Sequence, residues 1–110
     1  MKEPLFNIGE VTVSWHAEMA LDMSGESVDE FIHRHVRGDH GEITEYEVEQ
    51  NQKIINKKKK EIGDMIFSAY SLSFLFSTQI WIVTEFNSEN TSTTTVLKYQ
   101  EFELLFPKNK

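Results

Sequence analysis

In the first half of the chain the apolar residues follow two kinds of short pattern, the alternation of a strand and the three- to four-residue spacing of a helix. Alternation over residues 10–14 predicts a strand, and the good helix formers of residues 16–23 predict a helix that Gly25 ends. The next segment, residues 28–36, has an apolar face with helical spacing. The residues on this face are Val28, Phe31, Ile32, His35 and Val36. Because His35 shares this face, we expect it to be buried and His33 to be exposed.

Polar residues mark where these helices begin. Ser27 with Glu30, and Thr44 with Glu47, have the spacing of a capping box, in which side chain and backbone N–H groups bond reciprocally. Thr44 therefore opens a third helix that runs to the lysines at residues 57–60, and its thin apolar face places it on the surface. The lysines are interpreted as the solvated end of this helix, with a nucleic-acid or lipid patch as the alternative.

The second half of the chain is rich in β-branched and aromatic residues, as strands are. The predicted strands are residues 65–72, 79–86 and 91–97, with a hairpin turn at 87–90. Helices followed by hairpins predict one α+β domain over residues 1–110, in which two to three N-terminal helices cover one face of a three- to four-stranded antiparallel sheet. Residues 98–106 are expected to form a last short turn, and residues 104–110 a frayed tail.

One stretch of the second half has the length needed to cross a membrane. Residues 65–84 are twenty positions without a formal charge. Serine, threonine and glutamine interrupt the stretch, however, and its apolar residues are largely β-branched or aromatic, unlike those of a spanning helix. Two strands joined by a serine-bearing turn explain the pattern better. The N-terminus also has no basic stretch followed by an apolar run, so we expect a soluble, cytoplasmic protein.

Composition and charge limit the partners. The 110 residues include 11 Lys and Arg against 18 Asp and Glu, a net charge of −7. A surface this acidic repels a phosphate backbone, which makes nucleic acid a poor partner and favours a protein partner. The chain has no cysteine, which excludes thiolate chemistry and disulfides, and we expect no cofactor. A homo-oligomer is compatible with these features.

The densest polar segment, residues 33–41, contains three of the four histidines and both arginines. Histidine moves protons near neutral pH and arginine grips anions, so Arg34, His35 and Asp39 are candidate catalytic residues. Asp39 is expected to accept a hydrogen bond from His35 or Arg34. The simpler interpretation is a satisfied core histidine and a surface ion pair. Since His33 and His35 face different sides of the helix, they cannot chelate one metal, and no metal site is predicted.

The predicted strands carry a second set of polar candidates. Thr84 faces the helices, whereas Glu85 shares the other face with Trp81. Glu85 is a candidate catalytic carboxylate on an open sheet face, or equally a charge that protects a strand from pairing with another chain. The candidate binding residues are Tyr70, Trp81, Thr84 and Thr95.

A resemblance to a known family rests on seven short motifs and on the order in which they occur along the chain. They are Phe6-Asn7-Ile8-Gly9, Phe31-x-x-Arg34-His35, Gly38-Asp39-His40-Gly41, Asn51, Ser68-Ala69-Tyr70, Ile80-Trp81-Ile82-Val83-Thr84-Glu85 and Thr94-Thr95. In this order they resemble a family of small bacterial proteins labelled plasmid-related, some of them filed under a type I restriction methylase name. The resemblance spans roughly residues 6–99. Its most specific parts are the Arg-His…Gly-Asp-x-Gly segment and the Trp-Ile-Val-Thr-Glu strand.

The chain departs from that family at two places. The family usually has Trp where this chain has His40, and an Ala-Asp-Arg turn where this chain has Phe86-Asn87-Ser88, so any function of that arginine is missing here. The resemblance implies a plasmid or mobile-element context rather than a mechanism. A helix with Arg-His followed by an antiparallel sheet also resembles, more loosely, the barnase, colicin and RelE-type ribonuclease toxins.

Two functions from different classes follow. The leading one is a small accessory or interaction protein of a bacterial plasmid or mobile element, which acts by binding a protein partner. The alternative is a metal-independent ribonuclease-like enzyme that uses His35, Arg34 and Glu85. An enzyme requires these side chains to converge in a cleft with Tyr70, whereas a binding protein can leave them buried or scattered.

Overall fold

The computed structural model describes residues 4–73, 78–88 and 91–105. In chain order the elements are β1 (Glu10–Val13), α1 (Trp15–Ser24), α2 (Val28–Val36), α3 (Glu45–Asn56), β2 (Met65–Ser71), β3 (Gln79–Phe86), β4 (Ser92–Lys98) and α4 (Tyr99–Leu105). The α+β class is therefore confirmed, and the uncharged stretch forms two strands. The serine-bearing turn between them, and residues 89 and 90 of the predicted hairpin turn, lie outside the described residues. No described helix combines the length and the apolar character needed to cross a bilayer.

The four strands form one mixed sheet in the order β1-β4-β3-β2. β3 pairs antiparallel with β2 and with β4, which places Thr84 opposite both Ile66 and Thr94. β1 pairs parallel with β4, with Val11 opposite Thr94. The prediction of a wholly antiparallel sheet is therefore wrong at β1. A hairpin forces its two strands to be antiparallel, but β1 pairs with the last strand and is separated from it by most of the chain, so that it is free to run parallel.

Helices lie on both faces of the sheet. Since side chains alternate along a strand, the even-numbered residues of β3 face α1 and α2, and the odd-numbered residues face α4. Ile80 and Ile82 belong to the core that α1 and α2 complete on the first face. On the second face Trp81 stacks on Phe102 of α4, with ring centroids 4.3 Å apart.

The prediction that helices cover only one face is wrong because the last segment is a helix. Residues 99–105 form α4 rather than a short turn, since this segment buries Phe102 against the sheet. Residues 104 and 105, the first two of the expected frayed tail, are the last two residues of that helix, and their side chains are exposed. Residues 106–110 lie outside the described part of the chain.

The edge strand β2 has outward-facing backbone groups that are bonded to α3 and to the loop before it. The Asn51 side chain donates to the Phe67 carbonyl at 2.7 Å and accepts from the Phe67 N–H at 3.0 Å. The Ala69 N–H donates to the His40 carbonyl at 3.0 Å, and the Ala69 carbonyl accepts from the Glu42 N–H at 2.7 Å. Because an open edge invites pairing with another chain, these bonds close this side of the sheet.

Polar residues form hydrogen bonds with the backbone at both ends of α3. Thr44 and Glu47 form the predicted capping box. The helix stops directly before the lysine run, and Lys60 Nζ folds back to donate to the carbonyls of Ile55 and Lys57 at 3.3 and 2.6 Å. Part of the lysine run thus satisfies carbonyls that the helix end leaves free.

Candidate functional site

α2 carries His35 into the core. Ser27 caps this helix by accepting a hydrogen bond from the Asp29 N–H, and the apolar face that follows turns inward. His35 is 0% exposed, whereas His33 is exposed, which confirms the predicted phase of the helix. The His35 and Phe6 rings pack edge to face, with ring centroids 5.1 Å apart.

His35 lies in the middle of a hydrogen-bonded chain that crosses three strands beneath α2. Its Nδ1 lies 2.5 Å from Ser68 Oγ on β2, and its Nε2 lies 2.9 Å from Thr84 Oγ1 on β3. Thr84 Oγ1 in turn lies 2.7 Å from Thr94 Oγ1 on β4. Thr94 Oγ1 then donates to the carbonyl of Ile8 at 2.7 Å. The bonds therefore run across the sheet without a break.

The other end of the chain is His40, in the loop that pairs with β2. Its Nδ1 lies 2.8 Å from Ser68 Oγ, so that one serine hydroxyl sits between two imidazoles. Each of the five side chains in this series is at most 7% exposed. We call these five residues the buried polar chain: His40, Ser68, His35, Thr84 and Thr94.

The carbonyl at one end fixes where each proton of the buried polar chain lies. The Ile8 carbonyl only accepts, so the Thr94 hydroxyl donates to it, and the Thr84 hydroxyl must donate to Thr94. Thr84 then has only a lone pair to offer, so Nε2 of His35 carries the proton between them. Neutral His35 therefore accepts at Nδ1, and the donor is the Ser68 hydroxyl.

The same logic assigns the tautomer of His40. Because Ser68 gives its proton to His35, the bond between Ser68 and His40 must be donated by Nδ1 of His40. Neutral His40 then keeps a lone pair at Nε2, an atom that makes no hydrogen bond among the described residues. Every hydroxyl in the series donates once and accepts once.

Burial keeps both histidines neutral. Burial, with repulsion by His40 whenever that ring is protonated as a second cause, lowers the pKa of His35 to about 3. Burial also lowers the pKa of His40, although the nearby Asp39 carboxylate opposes that shift. A protonated His35 would need an acceptor at each ring nitrogen, which would require the Ser68 hydroxyl to turn round. Both ring nitrogens of His35 are thus engaged in hydrogen bonds, Nδ1 with Ser68 and Nε2 with Thr84.

Arg34 and Asp39 pair at the surface, about half exposed, above the buried polar chain. Arg34 Nε lies 2.8 Å from Asp39 Oδ2, and Nη2 lies 3.4 Å from Oδ1, so the bond predicted for Asp39 comes from Arg34 and not from His35. This contact raises the pKa of Arg34 and lowers that of Asp39. Asp39 Oδ1 also accepts from the N–H of Gly41 at 3.3 Å. Gly41 has a φ of 73°, and a Cβ there would lie 2.0 Å from the Ala69 carbonyl oxygen, so the loop requires glycine at this position. The ion pair of Arg34 and Asp39 supports this loop through the bond from the Gly41 N–H to Asp39.

Glu85 lies on the opposite face of the sheet from His35. It stands opposite Met65 and Thr93, while the neighbouring Thr84 bonds to His35 on the first face. The structure therefore does not bring Glu85 together with Arg34 and His35. In the described part of the chain, no three His, Asp or Glu side chains are grouped closely enough to hold a metal ion.

The four candidate binding residues are divided between the two faces. Tyr70 and Thr84 lie on the face of α2, whereas Trp81 and Thr95 lie on the face of α4. The Tyr70 hydroxyl donates to the Asp39 carbonyl at 2.7 Å, and burial raises its pKa to about 12. Trp81 is buried under α4, and Thr95 is half-buried. These residues support the fold at separate places and do not form one site.

The outer side of α1 carries three large apolar side chains that the core does not use. Trp15, Met19 and Met23 follow one another at intervals of four residues and are 66%, 43% and 64% exposed. We call these three residues the α1 stripe. A groove of about 230 Å³ runs beside it. The groove is lined by His16, Met19, Ala20, Met23, Thr78 and Lys98.

The N-terminal end of α1, where the stripe begins, is hydrogen-bonded to α4. Ser14 caps α1 by accepting from the Ala17 N–H at 3.0 Å, and its hydroxyl donates to Glu101 Oε1 at 2.6 Å. Glu101 also accepts from the Lys98 N–H at 3.0 Å, and its Oε2 lies 3.0 Å from His16 Nδ1. The α1 stripe is thus presented on a helix that is fixed to the sheet and to α4.

The reasoning from sequence missed both the partners of His35 and the α1 stripe. Ser68 and Thr94 look like ordinary strand residues, and only the register of three strands brings them to His35. The stripe had a signal in the sequence. The core side of α1 is formed by Ala17, Ala20 and Leu21, and the apolar residues at 15, 19 and 23 form a second row with a different phase.

The chain matches no protein-family model, no curated protein and no solved structure. The arrangement of its own side chains is therefore the basis for a functional proposal.

Proposed function

We propose that this chain is a small accessory protein that acts by binding a protein partner, and that the α1 stripe is the contact surface. The observation that carries the proposal is the exposure of Trp15, Met19 and Met23 in one line on a capped helix. Tryptophan and methionine are enriched at protein interfaces, and tryptophan is prominent among the residues that dominate binding energy. The mobile-element setting is part of the same proposal and rests on the resemblance, and a cytoplasmic location is proposed with it.

The helix that bears the stripe supports this interpretation. A large apolar side chain on a fixed helix loses little conformational freedom when a partner covers it, so more of the burial energy appears as affinity. The groove beside Met19 and Met23 offers a recess into which an apolar side chain of a partner fits.

The ribonuclease-like alternative needs His35, Arg34 and Glu85 in one cleft. The fold separates them, because His35 is enclosed in the buried polar chain, Arg34 is paired with Asp39, and Glu85 faces the other side. The alternative predicts that purified protein cleaves RNA without a metal and that Arg34→Ala abolishes cleavage while the fold is kept. Our proposal predicts no such cleavage.

Capture from an extract of the native host tests the proposal with three baits. They are the wild-type protein, Met19→Ser/Met23→Ser, and the control Val48→Ser/Ile62→Ser, which removes two exposed apolar side chains elsewhere. We expect one protein to be held by the wild type and the control, to be lost from the stripe variant, and to form the same complex when purified. Equal retention by all three baits would show that the stripe is not the contact surface.

A further inference from the structure

The stripe is bordered on one side by carboxylates that are not paired with any described lysine, arginine or histidine. Glu18 and Asp22 are exposed on α1, next to Trp15 and Met19 on the helix surface. Glu26 follows just beyond the end of α1 and accepts hydrogen bonds from Ser73. None of the three makes an ion pair with a described residue. We call Glu18, Asp22 and Glu26 the acidic rim.

The acidic rim and apolar side chains line a second groove together. This groove has a volume of about 230 Å³ and lies on the side of α1 opposite His16. Its lining residues are Val13, Glu18, Leu21, Asp22, Glu26, Ser27 and Val28. Among the described residues the lining contains no lysine, arginine or histidine, so none of them offsets the negative potential of the three carboxylates.

From this arrangement we infer that the partner covers the α1 stripe with a basic amphipathic helix; the inference rests on the proposed function. Trp15, Met19 and Met23 repeat every four residues, a rise of about 6 Å, and Glu18 and Asp22 repeat with the same spacing. A helix laid along α1 presents its own apolar and charged side chains at three- and four-residue intervals. Its apolar row covers the stripe while Lys or Arg in the neighbouring row reaches the acidic rim.

The charge of the protein argues against a second copy of this chain as the occupant. Each copy carries a net charge of −7, and stripe-to-stripe contact would bring two acidic rims close together. Like charges that face each other across an interface are strongly unfavourable. A basic helix instead gains from the same field, which also accelerates the encounter.

Peptide binding to the full chain tests the inference. The probes are three synthetic peptides of 18 residues with leucines at one set of helical positions and Lys, Gln or Glu at all others. Trp15 reports binding, because it is 66% exposed while Trp81 is buried, so that a blue shift of the emission follows coverage of the stripe. We expect the Leu/Lys peptide to bind at least five times more tightly than the Leu/Gln peptide, and the Leu/Glu peptide not to bind.

Two variants with the same change in net charge locate the contact. Glu18→Gln/Asp22→Asn should weaken the binding of the Leu/Lys peptide at least fivefold and leave the affinity for the Leu/Gln peptide unchanged. Glu10→Gln/Glu49→Gln, which neutralises two exposed carboxylates elsewhere, should weaken it less than twofold. Equal weakening by both variants would overturn the inference, because it would mean attraction to the acidic surface in general.

The remaining outcomes separate the inference from the proposed function. If the Leu/Gln peptide binds as tightly as the Leu/Lys peptide, and Met19→Ser/Met23→Ser abolishes both, the stripe is a contact surface but the partner is not basic. If the stripe variant binds the Leu/Lys peptide as the wild type does, the proposed surface is wrong as well. Dimerisation that the stripe variant abolishes would identify a second copy as the occupant. Failure of every peptide to bind overturns the inference, and the capture experiment then decides the proposed function alone.

Discussion

The buried polar chain and the α1 stripe reverse the usual distribution of side chains. Beneath α2, two histidines, a serine and two threonines lie inside the protein at an exposure of 7% or less. On α1, a tryptophan and two methionines lie outside, and two alanines and a leucine of the same helix lie in the core. The polar side chains of the first region are buried and bonded to one another. The apolar side chains of the second region, which would suit a core, are exposed.

The difference separates residues that the fold needs from residues that it leaves exposed. Each bond of the buried polar chain satisfies a group that burial would otherwise penalise, so the series supports folding. Only Nε2 of His40 is left without a hydrogen bond among the described residues. The stripe contributes nothing comparable to the core. Our proposal therefore places the function on the α1 stripe rather than on the His, Arg and Glu residues that the sequence singles out.

The largest expected effect comes from breaking the buried polar chain at its centre. His35→Ala leaves a cavity and deprives Ser68 and Thr84 of their partner, so we expect a loss of about 3 to 5 kcal/mol in the free energy of unfolding. Thermal unfolding should show a Tm lower by more than about 10 °C. The exposed His33→Ala is the control and should stay within about 0.5 kcal/mol. A His35→Ala protein as stable as this control would refute the structural role.

Acid should weaken the same region without any substitution. The pKa of His35 falls from 6.5 to about 3 on folding, so the unfolded chain binds the extra proton first and stability decreases as pH falls through this window. Between about pH 6.5 and pH 5 the expected loss from His35 is about 2 kcal/mol, and His40 acts in the same direction. The carboxyl of Asp39, whose pKa is also lowered, adds its loss only below its ordinary value of 3.8.

Urea unfolding at several pH values checks this dependence. The wild type should lose stability steadily below about pH 6.5, and His35→Gln, although less stable throughout, should show a shallower slope. Identical slopes for the two proteins would mean that His35 is not the group responsible.

A much smaller effect is expected at the surface pair. Asp39→Asn removes the charge from a contact that is about half exposed on both sides, so it should cost about 0 to 1 kcal/mol. The Tm should fall by no more than a few degrees, and added salt should reduce the difference from the wild type. A loss close to that of His35→Ala would place Asp39 with the buried polar chain rather than outside it.

The smallest effect on stability is expected on the α1 stripe. Met19→Ser/Met23→Ser changes exposed side chains, so each substitution should alter the free energy of unfolding by less than about 0.5 kcal/mol. The same variant should lose the partner. A double variant that unfolds well below the wild type would show that the stripe serves the fold, and the contrast between the two regions would disappear.

The sequence predicted local features of the fold and failed where distant segments meet. Periodicity gave the burial of His35, and Thr44 with Glu47 gave the start of α3, because both signals lie within a few residues. The parallel pairing of β1 with β4 depends on residues more than eighty positions apart, for which no local pattern exists. α4 was missed because one buried residue, Phe102, anchors a helix of only seven residues.

The candidate site was predicted in part for the same reason. Alternation along β3 separated Thr84 from Glu85 correctly, but it could not show that Ser68 and Thr94 stand on either side of Thr84 and complete the bonds of His35. A serine or threonine in a strand sequence is explained equally well by its preference for strands or by a position among other polar groups. Only the assembled sheet shows which explanation applies.

The central claim is that His35 is a neutral, fully bonded member of the buried polar chain, and the ring nitrogens test it directly. Long-range proton–nitrogen NMR correlations distinguish the two tautomers and the imidazolium of each histidine. The account predicts that at pH 7 His35 carries its proton on Nε2 and His40 on Nδ1, and that the His35 ring does not titrate down to about pH 4, given a pKa of about 3. A His35 ring that is protonated on Nδ1, or that titrates near its ordinary value of 6.5, would contradict it.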